Sequence, residues 1–148
     1  MKQLTEAQEQ ELLAKWLTIH SIFFYANVNE NNTFKQSRKW AMINEKKAQR
    51  VGKKRGVCDM TIFLDNYILY LEMKKSPKVL KNGKLSYANI ITTIHQKGFI
   101  NEVNKYPYSI ALYACGFSVA KEIVSNLLKG ATKQEVLDKY KIELRTIK

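Results

Sequence analysis

The sequence predicts a mixed α/β domain in which one mixed β-sheet is flanked by helices. Two β-rich runs on either side of Asp65-Asn66 indicate a hairpin, and the apolar run Tyr108–Ala114 after Pro107 indicates a buried strand. Amphipathic stretches that open on capping residues indicate the helices. The 148 residues suit one domain over 1–148, with room for a substantial core.

The first third of the chain predicts a helix and a strand. Thr5 followed by Gln8 has the form of a capping box, so a helix is expected from there to about His20, with an apolar side made of Leu12, Leu13, Trp16 and Leu17. A strand over Ile22–Val28 and a polar turn at 29–33 follow. Residues 36–50 are expected to form either a basic helix or a mobile loop.

Beyond the hairpin the pattern predicts helices separated by one strand. A loop over 77–85 should lead into a helix from about Ser86 to Lys105, which Pro107 ends. After the buried strand, Gly116 should open a helix that stops near Gly130. Thr132 with Glu135 repeats the capping-box form before a final helix.

The hairpin carries the candidate chemistry. A two-residue primed turn at Asp65-Asn66 places Asp59 directly opposite Glu72, with Lys74 two residues along on the same face. Burial of the other face should fix this register. The residues of that apolar face are Met60, Ile62, Leu64, Tyr67, Leu69, Leu71 and Met73.

Two carboxylates across a ladder repel each other unless a cation lies between them. Mg²⁺ prefers hard oxygen ligands and keeps several waters, so Asp59 and Glu72 are candidate ligands. Lys74 could hold an attacking water or stabilise charge on a phosphate. The alternative interpretation is that these are ordinary polar positions on a half-exposed hairpin.

At these residues the chain resembles the PD-(D/E)xK nuclease superfamily and, within it, the VRR-NUC family. The segment from Gly52 through Gly56 to Asp59 resembles the glycine-rich lead into the family's metal-binding aspartate. Glu72-Met73-Lys74 resembles its E-x-K strand, and Gln96 resembles the glutamine of the following helix. The resemblance runs from about Thr5 to Leu128.

The resemblance implies a restriction-endonuclease-like αβββαβ core and a Mg²⁺- or Mn²⁺-dependent DNA endonuclease that selects structure, with four-way (Holliday) junctions as the expected substrate. It implies the Met73 backbone carbonyl as a further metal ligand and Gln96 as a catalytic residue. A further acid is expected from the first helix, where Glu9 shares a face with Leu13 and Trp16. Glu6 and Glu11 are the alternatives, and the other interpretation is that all three glutamates only complement the helix dipole at its amino terminus. A homodimer would supply two cuts.

Charge distribution supports DNA as the partner. The formal net charge is +12, and nine basic residues between Phe34 and Gly56 meet only Glu45. A second stretch, from Lys74 to Lys105, has seven lysines against Glu102. Both stretches flank the candidate site, as expected for phosphate neutralisation. The predicted DNA contacts are Arg50, Lys53, Lys54, Arg55 and Lys75.

Other classes of site receive little support. Cys58 and Cys115 lack the spacing of a zinc site or a disulfide framework, and the two histidines do not form a metal motif. No apolar run is long enough to span a bilayer, so we expect no membrane partner and a cytoplasmic location. Flap, nicking or exonuclease activity, or a non-catalytic basic DNA-binding protein, are the alternative functions.

Overall fold

A four-stranded mixed sheet forms the centre of the fold. The computed structural model describes residues 2–27 and 38–148. The helices in that part of the chain are α1 (Glu6–Ile19), α2 (Arg38–Arg50), α3 (Ile94–Val103), α4 (Phe117–Leu128) and α5 (Lys133–Tyr140). The strands are β1 (Phe24–Ala26), β2 (Met60–Phe63), β3 (Ile68–Lys74), β4 (Lys78–Val79), β5 (Leu85–Ser86), β6 (Ile91–Thr93), β7 (Ser109–Cys115) and β8 (Arg145–Ile147).

The main sheet has the strand order β1-β2-β3-β7. Its first two pairings are antiparallel, and β7 joins β3 in parallel through the α3 crossover. The predicted fold class is therefore confirmed, because a mixed sheet is flanked by helices. Its core elements follow in the order α1, β1, β2, β3, α3 and β7, with α2 added between β1 and β2 and the short strands β4 to β6 added between β3 and α3.

The hairpin has the predicted register. Met60 lies opposite Leu71 and Phe63 opposite Ile68, and the Leu64 amide donates to the Tyr67 carbonyl at 3.0 Å. The predicted turn type is wrong, because Ser21 is the only non-glycine residue of the described ranges with a positive φ. A primed turn needs positive φ in its centre. Loop length and burial, rather than turn type, fix this register.

Two cores lie on the two faces of the sheet. On one face Leu13 and Leu17 of α1 and the apolar side of α4 cover the predicted apolar hairpin residues. On the other face α3 covers a smaller core, which contains Cys58, Ile90, Ile100, Ala111, Tyr113, Cys115 and Leu144. Leu12, predicted on the apolar side of α1, is exposed instead. Both cysteines are buried and free, as expected of small apolar residues near strand ends.

The segment before α3 differs from the prediction. The helix begins at Ile94 rather than Ser86, because β4 and β5 form a short antiparallel hairpin and β6 then runs extended. β6 pairs in parallel with β8 near the carboxyl end of the chain, a second small sheet that the sequence did not predict. β6 and β8 have only three residues each and lie far apart in the sequence, so the local sequence pattern gives little indication that they pair.

Between β1 and β2, the helix alternative is correct for Arg38–Arg50, although none of its residues is buried. The predicted strand at 22–28 is shorter than expected, and its last residue, Val28, lies outside the described residues. So do the predicted polar turn at 29–33 and the first two residues of the 36–50 segment. Across 2–27 and 38–148 no helix has both the length and the apolar character needed to cross a bilayer.

Candidate functional site: paired carboxylates at the end of a hairpin

Asp59 and Glu72 meet where the hairpin opens. Asp59 lies just before β2, and Glu72 and Lys74 lie near the carboxyl end of β3. The Asp59 Oδ2 atom accepts a hydrogen bond of 2.9 Å from the Met73 amide, so the side chain replaces the ladder partner that β2 no longer supplies. This bond holds the Asp59 carboxylate against β3, on the side of Glu72.

Glu72 is almost completely buried, with 3% of its surface exposed. Its Oε1 atom accepts a hydrogen bond of 2.6 Å from Gln96 Nε2 and lies 3.9 Å from Lys74 Nζ. Its Oε2 atom has no hydrogen-bond partner within the described ranges. A buried carboxylate oxygen without a partner is costly, which indicates a place for a proton or a cation.

Gln96 links the two charged groups. Its Oε1 atom accepts from Lys74 Nζ at 3.2 Å and from the Thr93 amide at 3.0 Å, while its Nε2 donates to Glu72. Thr93 is the N-cap of α3, and Gln96 is the third residue of a complete capping box. The start of α3 therefore fixes the orientation of the amide that holds Glu72 and Lys74.

The electrostatics of the pair favour a bound positive charge. Burial, together with the nearby Asp59 carboxylate, raises the pKa of Glu72 from 4.5 to about 8, although Lys74 opposes the shift. Burial also raises the pKa of Asp59, against the hydrogen bond from Met73 and the charge of Lys74. Both pKa shifts mean that ionising the two acids together remains unfavourable even beside the Lys74 ammonium, so a second cation would stabilise the ionised pair.

The donor set fits a hard divalent cation. Over the described residues no three His, Cys, Asp or Glu side chains gather in a metal-binding group. The Met73 amide faces Asp59, and both backbone groups of a strand residue point to the same side. The Met73 carbonyl is therefore a candidate third oxygen donor beside the two carboxylates. Two carboxylates and a carbonyl, completed by water, suit Mg²⁺ and do not suit zinc.

The structure places the candidate acids of α1 in different surroundings. Glu9 is buried, as expected, but its two oxygens accept from Ser76 Oγ at 2.9 Å and from the Phe117 amide at 2.5 Å. Glu9 therefore holds the start of α4 rather than facing Asp59. Glu6, one turn earlier, lines the same cleft as Asp59 and Glu72, and its charge contributes to raising the pKa of both.

An open cleft of about 710 Å³ gives access to the acids. Of the predicted DNA contacts, Lys53, Lys54 and Arg55 line it, while Lys53 also forms a 2.7 Å ion pair with Glu45. Arg50 and Lys75 do not line the cleft: Arg50 is exposed at the end of α2 and Lys75 is half-buried after β3. Of the five predicted DNA contacts, three therefore form the basic rim of the cleft.

A close backbone contact positions this rim. Gly56 has a φ of +76°, and a Cβ atom added to it would lie 2.2 Å from the His95 carbonyl carbon. The loop that carries Lys53, Lys54 and Arg55 can rest against the first turn of α3 only because residue 56 has no side chain.

Several cleft residues were not predicted from the sequence: Glu45, Thr93, His95 and Lys148. Thr93 carries a recognisable signal, because Thr93 and Gln96 have the same capping-box spacing as Thr5 and Gln8. Lys148 carries no such signal in the sequence. It reaches the cleft because β8 pairs Ile147 with Thr93, a long-range contact.

Comparisons of the chain with protein-family models, with curated proteins and with solved structures gave no match. Asp59 and Glu72, with Lys74 behind them, and the cleft that the two acids line are therefore the features of this chain that bear on its function.

Proposed function

We propose that the protein is a metal-dependent, structure-selective DNA endonuclease that hydrolyses phosphodiester bonds, with branched DNA such as four-way junctions as its substrate. The observation that carries the proposal is that Asp59 and Glu72 line a cleft with a basic rim, while the buried Lys74 lies directly behind them, 3.9 Å from Glu72. This set matches the aspartate and E-x-K elements that suggested a PD-(D/E)xK nuclease of the VRR-NUC family.

Different residues of the site would have different roles in hydrolysis. Asp59, Glu72 and the Met73 carbonyl would hold Mg²⁺ or Mn²⁺, which supplies charge stabilisation and a more acidic bound water. Lys74 lies 3.2 Å from Gln96 Oε1, which directs its ammonium group beside Glu72. From there Lys74 can position the attacking water or stabilise the negative charge that develops on the phosphate.

The rim supplies affinity for the DNA backbone. Lys54 and Arg55 are exposed on the loop that lines the cleft, and Lys53 is half-buried behind them. Contacts of this type carry little sequence information, so recognition by the shape of the DNA is expected. Affinity should fall as salt rises, because phosphate contacts release counterions. A homodimer, with two such clefts, would cut two strands of a junction.

The deciding experiment offers a labelled four-way junction, a flap and a linear duplex to the protein with Mg²⁺, Mn²⁺ or EDTA. Asp59→Asn is the test variant, because its amide oxygen can still accept from the Met73 amide. Asp65→Asn is the matched control, since Asp65 lies exposed at the far end of the same hairpin. We expect metal-dependent cleavage by the wild type and by Asp65→Asn, and none by Asp59→Asn.

Cleavage that persists in Asp59→Asn or in EDTA would overturn the assignment of this site. A non-catalytic basic DNA-binding protein is the alternative, and calorimetry distinguishes it. That alternative predicts no uptake of Mg²⁺ or Mn²⁺ even with DNA present, whereas a nuclease should bind the metal and lose that binding in Asp59→Asn. Flap, nick or exonucleolytic cutting would appear as a different preference among the three substrates.

A further inference from the structure

An aromatic patch lies on the same sheet face as the paired acids. We define it as Phe23, Tyr25 and Phe63, whose side chains are 69%, 47% and 38% exposed. The Phe63 ring centroid lies 5.3 Å from that of Phe23 and 6.0 Å from that of Tyr25. These three exposed rings are contiguous on an otherwise strongly charged protein, and apolar patches of this kind are often functional.

Strand register places this patch relative to the acids. Tyr25 lies opposite Thr61, and the Asn27 amide donates to the Asp59 carbonyl, so Tyr25 is one row of side chains away from Asp59. Two residues along a strand span about 7 Å. The patch therefore begins about 7 Å along the strand direction from the row that contains Asp59, and it continues away from the cleft on the same face.

The rest of this face is covered, which limits where a ligand can lie. Phe99 of α3 packs edge-on against Tyr70 at 5.8 Å, so α3 covers the β3 and β7 side. The β1 and β2 side has no helix over it in the described residues. The rings of the patch are tilted by 50° and 40° to one another, so they do not cover each other's faces.

The size of the patch favours a small flat ligand over a second protein chain. At about 200 Å² for each aromatic side chain, the exposed fractions leave roughly 300 Å² in total. A stable protein interface buries about 800 Å² on each partner. Unpaired bases need only one ring face each, and their stacking on aromatic side chains tolerates any sequence.

We infer that the aromatic patch binds unpaired bases of a DNA strand whose phosphates lie in the adjoining cleft. This inference rests on the proposed nuclease function and adds a substrate class to it: branched DNA with an unpaired segment next to the cleaved bond, such as a flap, beside the fully paired four-way junction. The basic rim holds the backbone, while Tyr25 and Phe63 stack the bases that leave the duplex. A fully paired duplex cannot turn its bases onto these rings.

The test compares binding to single-stranded and duplex DNA in EDTA, by fluorescence anisotropy with an oligothymidylate of about 15 nucleotides and with a blunt duplex. The test variant is Tyr25→Leu combined with Phe63→Leu, which keeps apolar bulk and removes the rings. Tyr25→Phe combined with Phe63→Tyr keeps both rings. Tyr108→Leu is the matched control, since Tyr108 is exposed outside the patch.

The double leucine variant should lose roughly tenfold to 100-fold in affinity for the single strand. Its duplex affinity should not change, and the ring-retaining variant and Tyr108→Leu should bind like the wild type. With Mg²⁺, the double leucine variant should also cut a flap more slowly and an intact four-way junction at an unchanged rate.

Equal single-strand affinity of the double leucine variant and the wild type would overturn this inference and leave the nuclease proposal in place. An equal loss of affinity for duplex DNA in the double leucine variant would also overturn this inference and leave the nuclease proposal in place. A wild-type dimer that becomes a monomer in the leucine variant, measured by sedimentation, would assign the patch to a second copy of the chain instead. If the wild type binds neither DNA, the proposed function fails together with the inference.

Discussion

Replacing Glu72 with glutamine should stabilise the metal-free protein at alkaline pH. Raising the pKa of Glu72 from 4.5 to about 8 means that the fold binds a proton there more tightly than the unfolded chain does. Stability is therefore lost as pH rises from about 4.5 towards 8. At about 1.4 kcal/mol for each pH unit, the full penalty approaches 5 kcal/mol and is an upper limit.

Glu72→Gln removes this penalty and keeps the shape of the side chain. Its Oε1 atom can still accept from Gln96, and its new amide can donate to the Asp59 carboxylate in place of the like-charge repulsion. In EDTA, we expect the variant to exceed the wild type by at least about 2 kcal/mol at pH 8.5, and by much less at pH 5.

Urea unfolding followed by tryptophan fluorescence, at several pH values with EDTA or Mg²⁺, measures the effect. Mg²⁺ should stabilise the wild type at pH 8.5 and have a much smaller effect on Glu72→Gln, because the cation replaces the proton. Wild-type stability in EDTA that does not fall between pH 5 and pH 8.5, or a variant that is less stable than the wild type throughout, would refute this account of the buried pair.

Three further changes test the parts around the acids. Lys74→Met should lower cleavage by roughly 100-fold or more while DNA binding in EDTA persists, because an ammonium that acts in the transition state is lost; an equal fall in binding would contradict this role. Gly56→Ala should lower the free energy of unfolding by about 1–3 kcal/mol, because the added Cβ would strike the His95 backbone. Gly83→Ala is the control for backbone strain alone, because Gly83 has a similar φ but lies in open space. Glu9→Gln should cost about 1–2 kcal/mol by weakening the cap of α4, with metal affinity unchanged; reduced metal affinity would return Glu9 to the site.

The sequence predicted the centre of the fold and of the site because local rules determine both. A short loop and the alternation of Met60, Ile62, Leu69 and Leu71 fix which residues pair, and that pairing brings Asp59 to Glu72. The resemblance at Glu72-Met73-Lys74 pointed to the same position. Predicting this hairpin and its pair of acids did not require any contact with a segment distant in the sequence.

The parts that were missed depend on longer-range contacts or on competition between similar residues. The pairing of Thr93 with Ile147 joins segments more than 50 residues apart, and no local sequence pattern predicts this pairing. Glu9 and Glu6 are both acids on α1, and the one that shares a face with Leu13 is the one drawn into a structural cap. Apolar periodicity indicates which side of α1 is buried, but it does not indicate which of the two carboxylates lines the cleft.

The position of Gln96 makes helix formation and site assembly a single event. The same amide closes the first turn of α3 and gathers the acid and the ammonium of β3, so any movement of the helix start must release Glu72 and Lys74 together. Substitutions at position 96 should therefore alter stability and the proposed cleavage activity in parallel. Glutamate can complete a capping box as glutamine does, but beside Glu72 it would add a third negative charge, so the position admits little besides glutamine.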